Sequence, residues 1–148
     1  MPRQRYRVAV TGHDDDPGAR SFGLTRTDIG GATTVVTVSG ELDLQSAPEL
    51  MAVVDEAMRA PGADVVVIDL TDVWFLGSSG LGVLANLATR ATVPTSHRQD
   101  AKPARAQLRV VSPPDNHAVT RPWEAMSLQQ ILPLYPTVSG AVQGGAEG

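Results

Sequence analysis

Cysteine is absent from this 148-residue chain, which excludes disulfides, thiolate zinc sites and thiol catalysis. Aromatic residues are scarce, two each of Trp, Tyr and Phe, so the core must be built from Val, Leu, Ile and Ala. Lysine occurs once, at Lys102, and any lysine chemistry would rest on it. A basic excess is also missing. Twelve Lys and Arg against 16 Asp and Glu give a net charge of −4, unlike the clustered basic surface of a nucleic-acid binder. No apolar run reaches the roughly 18 residues needed to span a bilayer, and the first residues lack the apolar segment of a signal peptide. One compact cytoplasmic domain is expected, without a nucleic-acid or membrane partner.

What is present reads as alternating strands and helices. Residues 1–20 form a flexible extension with room for one short strand in "YRVAV". Their His13-Asp14-Asp15-Asp16 run is better read as solvated charge than as a metal site. "GLTRTDI" and "TTVVTVSGEL" are two strands joined at Gly30-Gly31, a hairpin signal. A helix follows, with Ser46 and Glu49 as a capping box, Pro48 in its first turn, and an apolar stripe of Leu50, Val53, Val54, Ala57 and Met58. "DVVVIDL" is a central strand. Beyond the serine-containing corner and its helix come a mobile loop at about 92–106, the strand "QLRVVSP", a helix in "DNHAVTRPWEAMSLQQIL", a short strand in "LPLYP", and a disordered tail at 143–148. This order implies an α/β domain with a mixed sheet and helices packed against it. Trp74 is expected to pack at the sheet end, Trp123 to anchor the last long helix, and His117 to start that helix without a ligand role.

The stretch "FLGSSGLGVL" sets two serines between glycines at the strand-to-helix corner. A hydrolase elbow requires G-x-S-x-G, and from Gly77 the fifth position is Leu81. The histidines available as a base, His13, His97 and His117, lie in tails, loops or loop edges. Gly80-x-Gly82-x-x-Ala85 matches a dinucleotide fingerprint only formally, with Asp100 in a loop, and no G-K-[ST] supplies a phosphate loop. Helix capping by Ser78 or Ser79 is the simplest role. The following helix is apolar nearly all round, with Asn86 the lone polar residue between Leu81 and Ala88. In so small a domain, Leu81, Val83, Leu84 or Leu87 should remain partly exposed and mark a partner site.

"SGELDLQSAPEL" and "VVVIDLTDVWFLGSSGLGVL", in this order and separation, resemble the two signature motifs of the STAS domain family, specifically the bacterial anti-sigma factor antagonists. The resemblance continues weakly through "LRVV" and "LQQILPLYPTVSGAV", and implies a STAS-type α/β domain over residues 21–142. It also implies a non-enzymatic protein with no catalytic residue, cofactor or metal. Such a protein binds an anti-sigma factor that is a GHKL-type serine kinase and thereby releases the sigma factor. Carried onto this chain, phosphorylation falls on Ser78, with Ser79 as alternate, and partner contacts fall on Asp43, Ser78, Ser79, Gly80, Leu81 and Leu84. A homodimer is compatible with the resemblance. Gly77 stands where the family has an acidic residue, and the loop at 92–106 is longer than usual. The alternative is a regulatory or structural STAS subunit that is not phosphorylated. It would dock on another partner, such as the ATPase of a lipid-transport complex or a stress-sensing assembly.

A phosphate on Ser78 adds about −1.5 to −2 charges at pH 7. A helix N-terminus accommodates that charge, whereas an apolar interface must desolvate it. One modification can therefore spare the fold and abolish association.

Overall fold

The computed structural model describes residues 4–8, 22–30, 32–92 and 106–147. His13 to Asp16, and His97, Asp100 and Lys102 of the 92–106 loop, lie outside the described residues. In chain order the elements are β1 (Gln4–Val8), β2 (Phe22–Ile29), β3 (Thr33–Leu42), α1 (Ala47–Arg59), β4 (Val65–Leu76) and α2 (Ser78–Thr92). They continue with β5 (Gln107–Val111), α3 (His117–Ala125), a 3-10 turn at Leu128–Gln130, β6 (Leu134–Tyr135) and α4 (Val138–Glu147). The six strands lie in sequence order in one mixed sheet. β1, β2 and β3 pair antiparallel, and β3 to β6 pair parallel. The β2–β3 hairpin turns through Gly30, whose φ of 66° suits glycine.

Each parallel step needs a crossover, and the fixed handedness of such crossovers sends α1, α2 and α3 to one face of the sheet. The main core gathers there. Val36, Val38, Ile68, Leu70 and Val110 from the strands meet Leu50 and Val54 of α1, Leu84 and Leu87 of α2, and Val119 and Trp123 of α3. Trp123 is fully buried and its indole N–H donates to the Leu132 carbonyl at 2.9 Å, tying α3 to the segment before β6.

The other face is covered differently. Val35, Val67 and Val111 pack against Ala141 of α4, and the buried Arg109 guanidinium donates to the Ala141 carbonyl at 2.8 Å. Thr137 accepts a bond from the Gly140 N–H at 3.0 Å and caps this helix. The helix runs to Glu147, through the residues that the sequence reading gave to a disordered tail. Val138, Ala141 and Val142 supply an i, i+3, i+4 stripe that outweighs the glycines around it.

β4 departs from simple pairing in a way that matters for the site. Thr37 pairs with Asp69 and Ser39 with Asp72; Gly40 pairs with Val73 and Glu41 with Phe75. β4 thus carries one extra residue at each of two irregularities, the second being Trp74. Bulges re-aim side chains, and here the alternation becomes one inward residue followed by two outward ones. Leu70, Val73 and Leu76 point into the core while Thr71, Asp72, Trp74 and Phe75 are exposed.

Candidate functional site

The C-terminal edge of the parallel strands is shaped by two tight connections that interlock. After β3 the chain knots around Ser46. Its Oγ donates to the Glu41 carbonyl at 2.8 Å and accepts from the Asp43 N–H at 2.9 Å. Asp43 closes the knot by accepting, on Oδ1, from the N–H groups of Gln45 and Ser46 at 3.0 and 3.2 Å. Ser46 is buried and makes no side-chain cap to α1, so the expected capping box does not form. Its hydroxyl is consumed by the preceding turn, in which Asp43 also takes part.

After β4 the chain passes through Gly77, whose N–H donates to the Leu42 carbonyl at 2.9 Å. The Gly77 carbonyl accepts the first intrahelical bond of α2, from the Leu81 N–H at 3.0 Å. Gly77 is therefore the N-cap, and Ser78, Ser79 and Gly80 are the first three helical residues. The expectation that a serine caps this helix is corrected by one position. As first-turn residues, these three have N–H groups with no acceptor inside the helix. Gly80 is fixed by close approach. A Cβ there would stand 2.8 Å from Leu76 Cδ1 and 2.9 Å from both Leu42 Cγ and the Leu42 carbonyl oxygen. The α2 N-terminus therefore lies directly on the end of β3.

A third tie comes from Asn116, whose Nδ2 reaches the carbonyls of Leu70, Thr71 and Val73 at 3.2, 3.3 and 3.0 Å. It fixes the bulged end of β4 from the start of α3. His117, the next residue, is exposed.

A model of the STAS domain matches residues 25–141. The chain belongs to the STAS domain family. A Mycobacterium tuberculosis protein named as an anti-anti-sigma factor, Rv2638, is 31% identical over 125 residues, spanning 82% of this chain and 75% of that one. The crystal structure of an anti-sigma factor antagonist from Mycobacterium paratuberculosis is similar at a TM-score of 0.66 and 33% identity, covering 84% of this chain and 93% of that one. The anti-sigma factor antagonist SpoIIAA in its unphosphorylated form shares the fold at a TM-score of 0.59 and 17% identity, over 86% of this chain and 98% of its own.

In this STAS domain, the residues singled out by sequence divide into two groups. Asp43, Ser78, Ser79 and Gly80 come together at the corner, with Ser78 exposed, Ser79 and Asp43 half-buried and Gly80 buried. Leu81 and Leu84 do not belong with them as contact residues. They are 7% and 0% exposed and sit in the main core. α2 lies against both α1 and the sheet, so its wide apolar arc is consumed internally, and its outward positions are the small or polar Gly82, Asn86 and Thr89.

The exposed apolar surface lies instead on the strand side of the corner. Leu44, Trp74 and Phe75 are 74%, 53% and 46% exposed. Trp74, expected to pack at the sheet end, is turned outward by the bulge. Sequence carried a usable signal for this: Thr71-Asp72 followed by Val73-Trp74-Phe75-Leu76 breaks the strict alternation of a half-buried strand. Among the described residues no group of His, Cys, Asp or Glu could hold a metal ion, and no helix is long and apolar enough to cross a membrane.

Proposed function

We propose that this STAS protein is a cytoplasmic anti-sigma factor antagonist. It binds an anti-sigma factor of the GHKL serine-kinase type, releases the sigma factor, and is switched off by phosphorylation of Ser78. It performs no catalysis of its own. The observation that carries this reading is Ser78 itself, exposed on the first turn of α2, on the serine of the family motif. A hydroxyl there is accessible to a kinase. The phosphate it would receive has the helix N-terminus behind it, so the folded domain tolerates the charge. The same charge carried into an apolar contact is costly to desolvate.

Gly77 favours a second reading, a STAS subunit that docks without being phosphorylated. The backbone does not require glycine there, since its φ lies outside the left-handed region. A Cβ would meet the Phe75 ring edge at 3.2 Å, a contact relieved by a few tenths of an ångström of ring movement. Gly77→Asp can therefore be built, and it separates the two readings by restoring the family's carboxylate beside Ser78.

The test is competition. Added to a preformed complex of the organism's anti-sigma kinase and its sigma factor, the chain should release free sigma factor in proportion to its concentration. An intact complex at saturating chain would refute the antagonist role.

A further inference from the structure

A cavity of about 430 Å³ opens between α3 and the C-terminal ends of β5 and β6, and its lining shares no residue with the serine corner. Proline shapes it. β5 and β6 pair only through Val110 with Leu134 and Val111 with Tyr135, and the Ser112 N–H closes the pairing on the Tyr135 carbonyl at 2.9 Å. Pro113 and Pro114 follow on one side and Pro136 on the other, none with an N–H to continue the ladder. Pro114, Pro136 and Leu134 give the cavity apolar walls, with the fully buried Trp123 of α3 behind them. The frame is held in place. The Trp123 indole N–H is bound to the Leu132 carbonyl, and Asn116 ties the start of α3 to the end of β4. Open α/β sheets bind ligands at the carboxyl ends of their parallel strands, and this volume falls in the range of roughly 300–1,000 Å³ usual for small-molecule sites.

The polar part of the lining is rich in acceptors and carries one charge. Thr120 and Glu124, four residues apart on α3, border the cavity together with Gln129. The Ser112 hydroxyl already donates to the Pro113 carbonyl at 3.2 Å, which leaves it an acceptor towards the cavity. Among the described residues no Arg, Lys or His lines the cavity. Glu124 has no ion pair among the described residues, and Arg121 of the same helix does not line the cavity. Glu124 also stands in the last turn of α3, where the helix dipole adds negative potential.

We propose that this cavity binds a small organic cation, a protonated amine carried on an aromatic or alicyclic ring. The ring lies against Pro114, Pro136 and Leu134, whose rigid surfaces suit a flat apolar body. The ammonium donates to the Glu124 carboxylate, with the Thr120 hydroxyl and the Gln129 side-chain carbonyl as further acceptors. A phosphate or carboxylate ligand would meet Glu124 and no cation, so nucleotides are disfavoured here. The site does not depend on the antagonist reading.

The test is an NMR titration of the isotope-labelled full chain with 2-phenylethylamine, and with 3-phenylpropanoate as an anion of similar size. The amine should shift the backbone amides of Thr120, Glu124 and Gln129 and the Trp123 indole N–H. The shifts should saturate with a dissociation constant on the order of 1 mM, as suits so small a probe. The anion should leave these signals unmoved. Glu124→Gln keeps the size of an exposed side chain, so the melting temperature should hold while the amine binds about threefold or more weakly. An amine that gives no saturable shift, or shifts only signals away from α3 and β6, overturns the site. Equal binding of 3-phenylpropanoate, or unchanged amine affinity in Glu124→Gln, overturns its preference for cations and with it the proposal.

Discussion

Two glycines of α2, two positions apart, should respond to the same substitution with opposite sign. At Gly80 an added Cβ falls 2.8–2.9 Å from Leu76 Cδ1, Leu42 Cγ and the Leu42 carbonyl oxygen. None of these can retreat cheaply. Leu42 and Leu76 are buried in the core, and the Leu42 carbonyl is held by the Gly77 N–H. Overpacking of this kind costs about 1–3 kcal/mol. The replacement of glycine by alanine in a helix returns at most about 1 kcal/mol. Gly80→Ala should therefore be net destabilising, by up to about 2 kcal/mol once the full propensity gain is subtracted. At Gly82 nothing lies within 4 Å of the new Cβ and the position is exposed, so only the propensity gain remains. Gly82→Ala should be stabilising by about 0.5–1 kcal/mol. Urea unfolding of the two variants beside the wild type, compared by midpoint at constant slope, reads both values. Midpoints displaced in the same direction would refute the close contact between α2 and the end of β3.

Four further outcomes follow from the same geometry. Ser46→Ala removes a buried hydroxyl that serves the Glu41 carbonyl and the Asp43 N–H, and should cost about 1–2 kcal/mol in the same urea assay. Asn116→Ala strips the carbonyls of Leu70, Thr71 and Val73 of their shared donor; it should cost about 1–3 kcal/mol, with hydrogen exchange rising first around Thr71 to Phe75. Ser78→Ala should stay within about 0.5 kcal/mol of wild-type stability because the serine is not the cap. Ser78→Asp should raise stability slightly through the helix dipole yet weaken anti-sigma binding about tenfold, measured by titration calorimetry.

The sheet and its three same-side helices were legible in the sequence because their signals are periodic and local. Of the stripe Leu50, Val53, Val54, Ala57 and Met58 in α1, all are buried except Val53, which is half-buried against the core, and the Gly30 hairpin joins β2 to β3 as read. The misreadings arose where a residue had two available partners and sequence could not rank them. Ser46 satisfies both the capping-box pattern and a turn with Glu41 and Asp43, and the turn prevails. Ser78 and Ser79 are good caps by type, but the Leu42 carbonyl captures the Gly77 N–H and starts the helix one residue earlier. Leu81 and Leu84 looked like surface because the helix has apolar residues on every side. Contact with α1 as well as the sheet absorbs that surplus. The outward Trp74 depends on β4 carrying more residues than β3 over the same span, a property of the pair that neither strand reveals alone.

Phosphosite mapping tests the central claim most directly. The chain is incubated with ATP, Mg²⁺ and the organism's anti-sigma kinase, then digested and sequenced by tandem mass spectrometry. The account predicts one phosphate, on Ser78 in preference to Ser79, with the modified chain no longer retained by the kinase. A chain that binds the kinase tightly yet carries no phosphate after prolonged incubation, and gains none with Gly77→Asp, would contradict it.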